Sequence, residues 1–334
     1  MRPDPRNIME MTSAFFDSSV LFAASDVGIF GKLASLGESD SAAMAAALGL
    51  DPRATGLLLD ACVAVGLLEK THDRYRNTSE SAAFLVPGSP ADLSNAIRYK
   101  RDVYPAWGRL AQLARKGEPV EPPQLHLGSD EQRTRTFVLS MHHRAMAMGR
   151  AVVPLLRLNG SRRLLDVGGG PGTYSVLIAQ ANPAIHCTVL DLPPVVRIAE
   201  ELIAEQGYSS RVQTLAGDYR STQFPSGVDV VNFFGMLHQE APDSIVSLLR
   251  KAYASLAPGG VVYVMDMMTD ATHTSPKYSA LFAVNMALTT HNGWVFSDTE
   301  LLEWFTAAGF EDGEVTPLPA PMPHWLGRAR KRSS

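Results

Sequence analysis

The chain has 334 residues, with 30 Lys and Arg against 34 Asp and Glu, for a net charge of −4. That length suggests about two domains, and the acidic balance excludes a broad basic face for sequence-independent nucleic-acid binding. A hydrophobic share of 46% excludes bulk disorder, and two cysteines, Cys62 and Cys187, are too few for a disulfide scaffold or a Cys-rich zinc site.

The opening MRPDPRNIME has no apolar core of the kind a signal peptide carries. No apolar run reaches the roughly 18–20 residues that cross a bilayer. A soluble cytoplasmic protein without membrane contact is therefore expected, and the basic tail Arg328–Arg332 reads as a solvated end.

The first third reads as helices with short connectors. Apolar residues at helical spacing run from Phe15 to Leu36, Ser41 can cap Ala42–Leu48, and Asp51-Pro52 starts a helix that stops at Gly66. Thr71–Ser79 resembles a small β-ribbon. Helix, helix and ribbon outline a winged-helix module, placed over residues 1–105. Its second helix offers Arg53 as its only cation against Asp51 and Asp60, so protein–protein packing is expected there instead of DNA binding.

A linker rich in Pro, Gly and Glu, Lys116–Gly128, separates helices expected over Asp92–Ala114 and Thr134–Leu158. After Asn159-Gly160 the pattern changes. Strand-like runs at Leu164–Val167, His186–Leu190, Val228–Phe234 and Gly260–Met265 alternate with helix-like stretches at Thr173–Ala181, Val195–Glu205 and Ser244–Leu256. Such alternation implies an α/β domain, a parallel sheet covered on both faces, placed over residues 106–334.

Its first strand ends in Gly168-Gly169-Gly170-Pro171-Gly172-Thr173, a turn where a ligand can approach the backbone closely. A dinucleotide fingerprint would place Gly or Ala where Thr173 stands. Asp191 ends the second strand, where a carboxylate can accept both ribose hydroxyls, and Asp218-Tyr219 follow the third, an acid and an aromatic suited to adenine. In this order, at strand ends, these pieces point to S-adenosylmethionine (SAM).

With Leu237-His238 and Ala307-Ala308-Gly309-Phe310, these segments resemble the small-molecule O-methyltransferases, which join an N-terminal winged-helix dimerisation domain to a Rossmann-like catalytic domain. The resemblance covers almost the whole chain. It implies a homodimer and a small-molecule substrate. It also implies SAM held by Gly168 and Gly170 of the turn, Asp191, Leu192, Asp218 and Tyr219, with Phe234 near the methionine end.

In that family a His after the fourth strand deprotonates a hydroxyl, and His238 stands there. Its surroundings depart from the pattern: Gln239 and Glu240 follow in place of Asp and Trp, and Ala283 and Val295 occupy places where Asp and Glu commonly stand. A base without a carboxylate partner is expected. His291, in a loop leading to the pocket, offers a second imidazole. With Gln239 or Glu240 as an oxygen ligand, His238 and His291 could hold a divalent or ferric ion, zinc or iron. This resembles a branch of the family that methylates the β-carbon of 2-oxo acids in secondary metabolism. There a metal polarises the carbonyl and stabilises an enolate.

The favoured expectation is therefore metal-assisted C-methylation of a 2-oxo acid. O-methylation of a phenol or enol with His238 as base is the alternative, and a SAM-sensing regulator the third. Met236, Met286, Phe282, Trp107, Tyr104, Phe137 and Met141 are candidates for an apolar pocket, and Arg98, Arg101, Arg133 and Arg135 for a carboxylate partner. His142 and His143 diverge on a helix, and His126, His186, His273 and His324 have no companion signal.

Overall fold

In the computed structural model, which describes residues 3–122, 130–158, 160–320 and 322–333, the apolar run from Phe15 to Leu36 forms two helices instead of one. After a short α1 (Arg6–Ser13), α2 (Phe15–Asp26) and α3 (Ile29–Leu36) are separated by Gly28, whose φ of 80° few side chains tolerate. Asp40, not Ser41, caps α4 (Ser41–Leu48): its extended backbone lets the carboxylate accept from Ala43 N at 2.8 Å. Asp51 caps α5 (Pro52–Ala64) in the same way, accepting from Ala54 N at 2.7 Å.

The expected ribbon pairs β1 (Leu68–Thr71) with β2 (Arg74–Asn77). Tyr75 and Lys70 both donate to the Asp60 carboxylate, at 2.8 and 2.7 Å, and so dock the ribbon on α5. Phe30, Leu33, Met44, Leu59 and Cys62 fill the core beneath, and α6 (Ser79–Phe84) follows.

Contacts divide the chain into Met1–Asp102 and Val103–Ser334, and α7 (Ser94–Trp107) runs across the division. The helix expected over Asp92–Ala114 thus stops at Trp107 and resumes as α8 (Leu110–Lys116). Residues 123–129, with His126 and the end of the expected linker, lie outside the described residues. Next comes α9 (Glu131–Val152), which starts ahead of Thr134 because Asp130 accepts from Arg133 N at 2.9 Å.

The second unit then alternates strand and helix: β3 (Arg163–Val167), α10 (Thr173–Ala181), β4 (His186–Asp191), α11 (Pro193–Glu205), β5 (Val212–Ala216), β6 (Val228–Phe234), α12 (Pro242–Ser255) and β7 (Leu256–Asp266). Two helices, α13 (Lys277–Thr289) and α14 (Asp298–Ala307), lead to β8 (Glu311–Pro317) and β9 (Trp325–Arg330). The strands form one sheet in the order β5-β4-β3-β6-β7-β9-β8, parallel from β5 to β7 and antiparallel at β9 and β8. β3 and β6 are neighbours although far apart in the chain, which makes a switch point with a crevice outside their carboxyl ends. A buried apolar layer covers each face, one centred on Leu165, Val231 and Val262, the other on Leu164, Val189 and Tyr263.

The basic tail is not a solvated end. Trp325–Arg330 is β9, inserted between β7 and β8, with Ala329 fully buried. Arg328 reaches Glu314 at 3.4 Å and Arg330 reaches Asp312 at 2.6 Å, while Lys331 Nζ donates to the carbonyls of Tyr253 and Leu256. Its charge reads as solvation only while its partners, on other strands and helices, are unknown. Among the described residues no single helix is long and apolar enough to cross a membrane.

Candidate active site

The glycine turn after β3 can form only with small residues. Gly168, Gly170 and Gly172 have φ of 64°, 55° and 70°. A Cβ at Gly169 would lie 2.8 Å from the Asp166 carboxylate, whereas one at Gly170 would meet nothing within 4 Å. The turn is packed behind and open in front, onto a cleft. Gly168, Gly170, Asp191, Leu192, Asp218, Tyr219, Phe234 and Gln239 all line this cleft.

Asp191 sits at the tip of β4. Its two oxygens accept from Gly170 N at 2.8 Å and Leu192 N at 2.7 Å. Burial nevertheless pushes its pKa up to about 6, the two backbone bonds opposing. Asp166 behind the turn also rises to about 6 through burial, and it accepts from Ser175 Oγ at 2.7 Å.

Across the cleft, Glu240 is consumed by structure. It accepts from Tyr219 Oη at 2.8 Å, from Arg220 Nη2 at 2.6 Å and from Ser244 Oγ at 2.6 Å, with only 1% of its surface exposed. Burial and this carboxylate raise the Tyr219 pKa. The pair ties the loop after β5 to the loop after β6 and holds the Tyr219 ring in place.

His238 lies in a short 3₁₀ turn after β6 and is 6% exposed. The carboxylate partner expected to be missing is present. Asp266, at the end of β7, meets His238 Nδ1 at 2.7 Å through Oδ1, accepts from Met267 N at 2.8 Å through the same oxygen, and accepts from His238 N at 3.2 Å through Oδ2. A carboxylate accepting three bonds fixes the proton on Nδ1 and leaves the Nε2 lone pair free. The edge of Phe282 on α13 packs against the imidazole at 5.2 Å. Phe282, Met267, Met286 and Val295 form one buried apolar cluster.

The metal site expected from His238, His291 and Gln239 or Glu240 does not fit these residues. His291 is exposed on its loop, and Glu240 already has its partners. Among the described residues no group of three His, Cys, Asp or Glu side chains is placed to hold a metal ion. Gln239 does line the cleft, but as a single neutral ligand beside one imidazole. The two loops do meet, Trp294 N donating to the His238 carbonyl at 3.0 Å and Trp294 Nε1 to the Glu240 carbonyl at 2.8 Å, but the His291 side chain stays exposed.

Comparison with known proteins now adds to this geometry. Residues 123–311 match the O-methyltransferase domain, and residues 9–87 match the O-methyltransferase dimerisation domain. The chain belongs to the O-methyltransferase family. It is 30% identical over 321 residues to 3-hydroxy-5-methyl-1-naphthoate 3-O-methyltransferase of Streptomyces sahachiroi, covering 95% of this chain and 92% of that one. It is 29% identical over 324 residues to L-tyrosine C(3)-methyltransferase of Streptomyces lavendulae, covering 93% and 88%. The crystal structure of human N-acetylserotonin methyltransferase in complex with SAM superposes with a TM-score of 0.88 at 27% identity, covering 98% and 97%.

Two polar groups of the methyltransferase were missed from sequence. Arg144, on α9, lines the cleft, and its guanidinium lies 3.3 Å from where a Cβ on Gly235 would stand. Asn285, on α13, is 4% exposed; its Oδ1 accepts from Trp107 Nε1 at 3.0 Å, and its Nδ2 has no partner among the described residues. A single Arg or Asn inside a helix carries no motif, so only burial and orientation reveal them. Two of the arginines proposed from sequence are engaged elsewhere: Arg101 pairs with Asp26 and Asp102, and Arg135 with Glu201.

Proposed function

We propose that this methyltransferase transfers the methyl group of SAM to a hydroxyl of a small aromatic acceptor, with His238 as general base. The observation that carries the reading is the contact of His238 Nδ1 with Asp266 at 2.7 Å. It leaves Nε2 as a proton acceptor in a buried site at the switch point of the sheet. Asp191 accepts the ribose hydroxyls, Tyr219 and Asp218 border the adenine, and Arg144 offers its charge to the methionine carboxylate. The open front of Gly170 faces the cleft that these residues line, which leaves the backbone of the turn accessible to such a ligand.

When bound, SAM supplies an electrophilic methyl group. Phe282, Met267 and Met286 offer apolar surface for a flat ring, and the unpaired Nδ2 of Asn285 offers a donor to its oxygen. The hydroxyl proton passes to His238 Nε2 as the new O–C bond forms and the methyl's bond to sulfur breaks, its electron pair staying on the sulfur as a neutral thioether, and the Asp266 carboxylate stabilises the resulting imidazolium. The same base serves a second reading, methylation of a phenol's ring carbon. The L-tyrosine C(3)-methyltransferase relative favours it, because the phenolate charge is shared with the ortho carbon. Product NMR with a labelled methyl donor separates the two by the carbon shift of the transferred methyl.

A metal-assisted attack on a 2-oxo acid finds no donor set among the described residues. His291→Ala is expected to keep near-wild-type turnover, and a chelator such as EDTA to leave turnover unchanged. Loss of activity in either experiment would restore the metal reading.

We infer a homodimer built through the first unit, in line with the match to the family's dimerisation domain. α1 buries no residue in the single chain, and Ile8, Met9 and Met11 are 61–65% exposed, with Phe15 and Phe16 at 50% and 57%. A surface of that kind is a packing face. Phe16→Asp is expected to turn dimers into monomers in light scattering. A monomeric wild type would refute the assignment.

A further inference from the structure

His324 is a buried polar residue near the dyad that the reaction so far does not use. It immediately precedes Trp325, and Trp325 is the register partner of Asp266 on β7. The antiparallel return of β9 thus carries a residue from the far end of the sequence to the strand end that holds His238. His324 is 4% exposed, and its backbone carbonyl accepts from Leu318 N at 2.8 Å. Its Nδ1 is buried with no hydrogen-bond partner among the described residues.

Burial and, after it, the Arg144 guanidinium push the His324 pKa down to about 4, with Asp266 opposing and His238 adding slightly. An imidazole neutral at every working pH is no rival base to His238. What it offers is one donor and one acceptor in a low-dielectric site, and a buried polar atom without a partner calls for one. His324 is not among the residues lining the cleft of the glycine turn. Beyond the Asp266–Trp325 pair β7 ends, and the next residue, Met267, packs with Phe282 and Met286 beside the base. The free ring nitrogen thus lies in a region shared by the His238–Asp266 dyad and Arg144, each of which acts on its charge.

We propose that His324 binds a second oxygen of the acceptor, adjacent to the hydroxyl that is methylated, and so selects aromatic acceptors with vicinal oxygens. This rests on the O-methylation reading. Neither the base nor the cofactor residues depend on it, so His324 is a specificity-determining residue.

The test uses the full-length enzyme and three probes on one ring system: 2-naphthol, 2,3-dihydroxynaphthalene and 3-hydroxy-2-naphthoate. For wild type, His324→Gln and His324→Phe, kcat/KM with SAM and binding of each probe to the complex with S-adenosylhomocysteine are measured. Wild type is expected to favour the two vicinal-oxygen probes over 2-naphthol by about tenfold or more. His324→Phe brings that ratio to near one, and His324→Gln, which keeps a donor and an acceptor, retains part of it. SAM affinity, as the control for folding, stays at the wild-type value in both variants.

The proposal is overturned if wild type binds none of the probes or shows no preference among them. It is overturned equally if the preference survives in His324→Phe, or if that variant loses all three probes by the same factor. Failure of the O-methylation reading is seen separately, as a methyl group on ring carbon in a product whose binding preference still depends on His324.

Discussion

His238→Ala and Asp266→Ala are expected to lower kcat by about 10²–10⁴-fold, the usual contribution of a positioned base, while SAM still binds. The more informative variant is Asp266→Asn. In the native site both carboxylate oxygens accept backbone N–H groups, Oδ1 from Met267 and Oδ2 from His238, and Oδ1 also meets His238 Nδ1. An amide must place its NH₂ at one of these two positions. Wherever it goes, a donor faces a buried donor, and at Oδ1 it also favours the tautomer with the proton on Nε2. Asp266→Asn should therefore be at least as damaging as Asp266→Ala despite its nearly unchanged shape. Single-turnover kinetics with saturating SAM read the chemical step directly. An Asn variant with near-wild-type rate would show that His238 does not act through this contact.

SAM affinity should weaken as pH falls through the pKa of Asp191, about 6. The ribose hydroxyls need an acceptor, and protonation converts one oxygen of the pair into a donor. Below that value the dissociation constant rises by up to about tenfold per pH unit, and above it the curve is flat. Stability of the free protein has the opposite sign. The folded pKa lies above the ordinary 3.8, so the penalty on the buried carboxylate is fully present above 6 and is relieved as pH falls toward 4. The stabilisation conferred by SAM in a thermal melt should accordingly shrink on acidification. Asp191→Asn is expected to cost about 10²-fold or more in SAM affinity, through two lost charge-assisted bonds, and to flatten the pH dependence between 5 and 7. If the dependence persists in that variant, it belongs to Asp166, which titrates near the same pH behind the turn.

The parts of this site that were legible in the sequence are those held within one strand end and the turn after it. Gly168 to Thr173 read as a ligand turn because consecutive glycines have a local meaning, and Asp191 and Asp218-Tyr219 because each directly follows a strand. The structure brings these residues to one cleft. Local reading failed where a residue's meaning depends on another element. Glu240 looked like a spare metal ligand beside His238, but Tyr219, Arg220 and Ser244 already claim it. Arg328 to Arg332 looked like a charged tail, yet most of that run is a sheet strand with its own carboxylates.

By itself, then, the sequence determined the two-part organisation, the alternating α/β unit, the glycine turn and the place of His238, because helix and strand periodicity and turn chemistry act between near neighbours. Only the tertiary structure supplied that histidine's carboxylate partner. Asp266 stands 28 residues further on, at the tip of the adjacent parallel strand, and reaches His238 because β6 and β7 pair in a register that brings their carboxyl ends together. His324 and Arg144 come to the same region from β9's approach and from α9. Contacts between strand ends depend on sheet order and register, which follow from burial of whole faces and leave no trace in local spacing.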